Sequence, residues 1–114
     1  MPLLNIQTNV DLEKATADAL IRTVSARTAN ALGKPERYVM VGIEAGRTMC
    51  FGGSCERLAY LELKSIDLPE GQIAELSRLL TELIHGAIDV PMDRVYIEFT
   101  SAPRGMWGWN GGTF

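Results

Sequence analysis

Histidine is almost missing from this chain, with His85 alone among 114 residues, and only two cysteines, Cys50 and Cys55, stand beside it. A structural zinc site draws about four ligands from Cys and His, so no metal is expected and no cofactor is called for. The two thiols are separated by four residues that include Gly52-Gly53, which is not the Cys-x-x-Cys spacing of a redox motif. His85 falls late in a helical pattern and is read as favouring a helix C-terminus rather than binding metal. An excess of positive charge is also lacking. Eleven Lys and Arg against 14 Asp and Glu leave a net charge of −3, without the basic patch that nucleic-acid binding requires. No apolar run reaches the length of a membrane span, and the N-terminus lacks the charged start and apolar stretch of a signal peptide. The expectation is a cytoplasmic protein with no membrane and no nucleic-acid partner.

What is present is ordinary globular material: 46% hydrophobic and 22% charged residues, enough for one core in one domain. Leu3 to Thr8 reads as a strand. Asp11 offers an N-cap for a helix over residues 12–32, whose stripe is Ala17, Leu20, Ile21, Val24, Thr28 and Ala31. Gly33 and Pro35 end it. Tyr38 to Glu44 reads as a second strand, and Thr48 to Phe51 as a short edge strand broken by Gly52-Gly53-Ser54. Leu58 to Ile66 alternates, with Ala59, Leu61 and Leu63 on one face and Glu62 and Lys64 on the other. A second helix is expected from Pro69 to Ile88, with Ile73, Leu76, Leu80, Leu83 and Ala87 on its stripe, widened by Leu79 and Ile84. Val95 to Thr100 is the last long strand.

The order strand–helix–strand occurs twice. Glu36-Arg37 leads into Tyr38-Val39, and 57 residues later Asp93-Arg94 leads into Val95-Tyr96. The chain is therefore read as an internal pseudo-repeat, residues 1–57 and 58–114. Two such βαβ units, with right-handed crossovers, predict an α/β fold: one four-stranded mixed sheet with both helices on one face. The other face would carry Glu62, Lys64, Tyr96 and Glu98. In the run Arg104 to Phe114, Trp107, Trp109 and Phe114 stand among four glycines and cannot form a core of their own. Both features predict an oligomer.

The N-terminus is Met1-Pro2, followed at once by the apolar Leu3-Leu4. Trimming of the methionine leaves a secondary amine on a rigid ring. An α-amino group titrates near ~8 in water, and desolvation moves it toward neutrality, where it can take and return protons.

Pro2 with its apolar strand, Gly33-Lys34-Pro35, Phe51-Gly52-Gly53-Ser54, Lys64-Ser65-Ile66, Asp93-Arg94-Val95-Tyr96-Ile97 and Gly108-Trp109-Asn110 follow one another in the order and spacing of a known family. Across essentially the whole chain the sequence resembles the macrophage migration inhibitory factor family, with one inserted residue before Gly33 and one deleted between Ile66 and Asp93. The resemblance implies the homotrimeric tautomerase fold of duplicated βαβ units, with active sites between subunits. It also implies a keto–enol tautomerase acting on enolisable keto acids of the phenylpyruvate or dopachrome type, with release by a non-conventional route as in the family. In that reading Pro2 is the catalytic base and Lys34 pairs with the substrate carboxylate or enolate. Ile66 lines the pocket, and Tyr96 of an adjacent subunit closes its aromatic end.

The sequence departs from the family at three places. Glu98 stands where the animal cytokine has asparagine, and its charge opposes an anionic substrate, which implies weak activity. Trp107 replaces a valine at the pocket rim and implies a narrower slot suited to stacking. The family's Cys-x-x-Cys would fall at Leu58-Ala59-Tyr60-Leu61, which has no thiol, so thiol-oxidoreductase activity is not expected. The alternative reading is a cytokine-like interaction protein with a vestigial pocket. Against it, the loop Glu44 to Arg47 lacks the acidic residue that the animal cytokine presents to its receptor.

Overall fold

The computed structural model describes residues 1–114. Six strands and two helices follow in the order β1 (Leu3–Thr8), α1 (Lys14–Leu32), β2 (Met40–Glu44), β3 (Ala59–Ile66), α2 (Ile73–Ile88), β4 (Val95–Ala102), β5 (Gly108–Trp109) and β6 (Gly112–Thr113). The main sheet has strand order β2-β1-β3-β4. β1 runs parallel to β2 and antiparallel to β3, and β3 runs parallel to β4. Each parallel pair is bridged by a helix, so the two βαβ units meet along the antiparallel β1–β3 seam.

Alternation decides which face of the sheet is covered. Leu4, Ile6, Leu61 and Leu63 are fully buried and point toward the helices, while Asn5, Gln7, Tyr60, Glu62 and Lys64 between them stay partly open. From α1 the core takes Leu20 and Val24, and from α2 it takes Leu76, Leu80, Ile84 and Ile88. The stripe of α2 is thus rotated from the one expected: Ile88 is buried and Ala87 is exposed. No helix is long and apolar enough to cross a membrane.

Element ends depart from expectation for local reasons. Asp11 does not cap α1; Glu13 holds the N-cap position without a side-chain bond. The Asp11 carboxylate lies instead over Gly46, where an added Cβ would come within 2.6 Å of Oδ1. The turn there is closed by the Gly46 N–H, which donates to the Val10 carbonyl. Pro69 is extended and precedes a 3-10 turn at Glu70–Gln72, so α2 begins later than expected. Tyr38 belongs to a 3-10 turn (Glu36–Tyr38) and not to β2. Residues 48–51 form no strand, only a single bridge between Phe51 and Ser54.

The C-terminal run gathers its aromatic side chains within its own chain. Asn110 and Gly111, both with positive φ, make the two-residue turn of a hairpin between β5 and β6. Trp109 stacks on Phe114 with ring centroids 5.2 Å apart, and both meet Tyr38 edge-on at 5.5 and 5.7 Å. Trp109 nevertheless remains half exposed.

Candidate active site

The start of β1 lies between two walls. On one side the Met40 N–H donates to the Pro2 carbonyl at 3.0 Å, and Leu3 is in register with Met40. On the other side Leu3 is in register with Lys64, which places Ser65 and Ile66, the last residues of β3, beside the N-terminus. The Pro2 ring is fully buried there.

Gly33 ends α1 in the left-handed conformation, with the Lys34 N–H returning to the Ala29 carbonyl. The chain turns so that the Lys34 side chain runs across to the end of β3. Its ammonium donates to Ser65 Oγ at 2.8 Å and to the Ile66 carbonyl at 2.6 Å. The N-terminal amine, which belongs to Met1, lies close enough to Lys34 to feel its charge. An ammonium has three donors, and this one spends two on fixed oxygens. A cation held this close to the Met1 amine disfavours its protonated form. Burial, then the charge and hydrogen bond of Lys34, then the charge of Arg104, lower the N-terminal amine from the usual 8.0 to about 6. Lys34 is itself lowered, by desolvation first and by Arg104, against the opposing pull of Asp67 and of the amine contact.

A cavity of about 330 Å³ opens at the amine, lined by Met1, Pro2, Tyr38, Met40, Trp107 and Trp109 among others. Trp107 is half-buried, and its carbonyl accepts from the Phe114 N–H at 3.3 Å, which ties the chain end across the opening. Pro2, Lys34, Ile66 and Trp107 thus lie together. Three neighbours were not singled out in the sequence. Ser65 orients the lysine, Arg104 adds positive charge, and Tyr38 builds the aromatic wall. Only Ser65, inside the Lys64-Ser65-Ile66 stretch, carried any signal.

Tyr96 and Glu98 are elsewhere. Tyr96 is in register with Tyr60, which is in register with Gln7. Five residues along β1 and two strands across put Tyr96 about 20 Å from Pro2. Within one chain the two cannot share a substrate. Tyr96 borders a second cavity of about 470 Å³ with Met49, Cys50, Phe51, Leu58 and Tyr60. Glu98 lies on the open sheet face, where it accepts from the Tyr60 hydroxyl at 3.1 Å and from Thr100 Oγ1 at 3.1 Å. It has no cationic partner. A larger groove of about 540 Å³ between the helices is lined by Arg27, Glu75, Arg78 and Glu82. Arg78 there is paired with both glutamates, and no group in it resembles the Lys34–amine arrangement.

Residues 1–114 match the family described as "Macrophage migration inhibitory factor (MIF)". The chain belongs to the macrophage migration inhibitory factor family. It is 34% identical over 115 residues to the macrophage migration inhibitory factor homolog of Brugia malayi, covering all of this chain and 99% of that one. It is 33% identical to the macrophage migration inhibitory factor of Xenopus laevis, with the same coverage. The solved structure of the homologue from Prochlorococcus marinus superposes with a TM-score of 0.94 at 41% identity, covering 98% of each chain. That from Trichinella spiralis gives 0.90 at 29% identity, over 98% of this chain and 99% of the other. The mixed four-stranded sheet with two helices is the tautomerase fold of this macrophage migration inhibitory factor family, which is typically homo-oligomeric.

Proposed function

We propose that this chain, once Met1 is removed, is a keto–enol tautomerase acting on phenylpyruvate-type keto acids, with the Pro2 nitrogen as base. The observation that carries this reading is the placement of Lys34, tied to Ser65 and Ile66 beside the buried Pro2 at the start of β1. Once Met1 is removed, the secondary amine of Pro2 lies beside that fixed cation, whose charge favours the neutral base at neutral pH. The Pro2 nitrogen takes the proton from the carbon beside the substrate carbonyl. Lys34 stabilises the negative charge that develops on oxygen, and the proton is then returned to that oxygen. Ile66 and Trp107 border the substrate together with Tyr38. No cofactor takes part.

Tyr96 closes the slot from an adjacent subunit of a homotrimer, a reading supported by its distance from Pro2 in its own chain. Glu98, one position further along the same face, brings negative charge to that junction and makes the activity on carboxylate substrates weak. The test is Pro2→Gly, assayed for phenylpyruvate enolisation beside the wild type, with Met1 removal checked by intact mass. The expected result is a large loss of kcat with unchanged circular dichroism. Equal activity in the variant sinks the reading.

A further inference from the structure

Cys50 and Cys55 take no part in the proposed chemistry, and both are exposed free thiols. Their placement follows from the turn between them. The Phe51 N–H donates to the Ser54 carbonyl at 2.9 Å, and the Ser54 N–H donates to the Phe51 carbonyl at 3.1 Å. Gly52 and Gly53 between them have φ of +61° and +76°. Two residues with positive φ closed by a doubly bonded pair are a two-residue hairpin turn of the I′ kind, a conformation that glycine adopts without strain. Phe51 and Ser54 form its hydrogen-bonded rung.

The next residues outward are Cys50 and Cys55. Were the hairpin continued one rung outward, that rung would be the non-hydrogen-bonded one, where facing Cα atoms are about 4.5 Å apart. A disulfide needs Cα atoms roughly 4.4–6.8 Å apart. No backbone bond joins Met49 to Glu56, and Phe51–Ser54 is the only bridge of this hairpin. The arms are nonetheless held. Arg94 donates to the carbonyls of Phe51, Ser54, Glu56 and Arg57, and Asn9 Nδ2 donates to the Cys55 carbonyl. The loop is therefore ordered before any covalent bond forms.

We infer that Cys50 and Cys55 are a reversible disulfide site, closed across the Gly52-Gly53 turn by a low-molecular-weight disulfide. One cysteine thiolate attacks a sulfur of the disulfide RSSR, forming a mixed disulfide and expelling RS⁻. The thiolate of the other cysteine attacks the protein-bound sulfur and expels the second RS⁻. Both cysteines are oxidised, RSSR is reduced to two RSH, and the two cysteine protons pass to the leaving thiolates. The second step is intramolecular and outruns capture by millimolar thiol. The new bond braces the loop whose Phe51 ring leans on Tyr96 at 4.5 Å, in the cavity that Cys50 also borders.

Cleavage after Arg47 and Arg57 places both thiols on one tryptic peptide, Thr48 to Arg57. The experiment incubates the purified protein with millimolar glutathione disulfide, blocks the remaining thiols, and measures that peptide without reduction. The expected result is a peptide lighter by two hydrogens, exceeding the glutathione adduct by roughly tenfold or more. Cys50→Ser and Cys55→Ser should each carry one glutathione instead. Gly53→Ala, strained at φ +76°, should shift the product toward the mixed disulfide. Wild type carrying glutathione on both cysteines, covalently linked chains with no internal disulfide, or a Gly53→Ala product indistinguishable from wild type would each overturn the inference.

Discussion

At the scale of single residues, Lys34 is the group on which most else depends. In the chain that retains Met1, its charge and hydrogen bond are leading causes, after burial, of the low pKa of the Met1 amine. Lys34→Met should therefore raise that amine from about 6 toward the ordinary 8.0. The sign is that of a base whose folded pKa is depressed: between those two values the folded amine is neutral while an unfolded one is protonated. In wild type this contributes stability at and above pH 8 that is lost as pH falls toward 6. The check is the pH dependence of N-terminal acylation in wild type and variant. Coincident midpoints would remove Lys34 as the cause. A second residue acts on stability alone. Thr28 is fully buried in α1, and its hydroxyl has no hydrogen-bond partner. Valine has the same shape without the unsatisfied group, so Thr28→Val should stabilise by about 1 kcal/mol. Thermal unfolding should show a rise of about 4 °C.

At the scale of elements, alternation and helical spacing were legible because they report burial directly. Leu61 and Leu63 point inward and Glu62 and Lys64 outward, as period two requires. Ends were less legible, because an end is decided by what a side chain meets across the fold. Asp11 looks like a cap in sequence, yet it is taken up by the turn at Gly46; Tyr38 looks like a strand residue, yet it turns to meet Trp109 and Phe114. The site was legible only in part for the same reason. Pro2 and Lys34 stand out in sequence, whereas the role of Ser65 appears only when β3 ends beside α1. On β3 and β4, Tyr60 shares its hydroxyl between Glu62 and Glu98, and desolvation followed by these carboxylates pushes it up to about 12. Glu98→Asn should lower the Tyr60 titration. If Glu98 also opposes the substrate of a neighbouring subunit, kcat/KM for phenylpyruvate should rise up to about tenfold, or ~1.4 kcal/mol. A variant slower than wild type would reverse the assigned role.

At the scale of the whole molecule, large apolar side chains stay open on the single chain. Tyr96 is 63% exposed, Met40 68% and Met106 78%, on surfaces that flank the two half-sites. One end of the sheet holds the amine and Lys34, the other holds Tyr96, and no motion within the sheet brings them together. In the proposed ring of three copies, each Tyr96 lies against the next chain's Pro2. This predicts complementation. Pro2→Gly removes the base but retains Tyr96; Tyr96→Ala retains the base but opens the slot. Each homogeneous trimer should be weak. When equal amounts are unfolded together and refolded, a site is whole if Pro2 comes from one parent and the adjacent Tyr96 from the other. Random mixing makes this about a quarter of all sites, so about a quarter of wild-type activity should return. Sedimentation of each variant as a trimer establishes that assembly itself is intact. Trimeric mixtures no more active than their parents would place Tyr96 outside the site, and a monomer in wild-type protein would end the ring altogether.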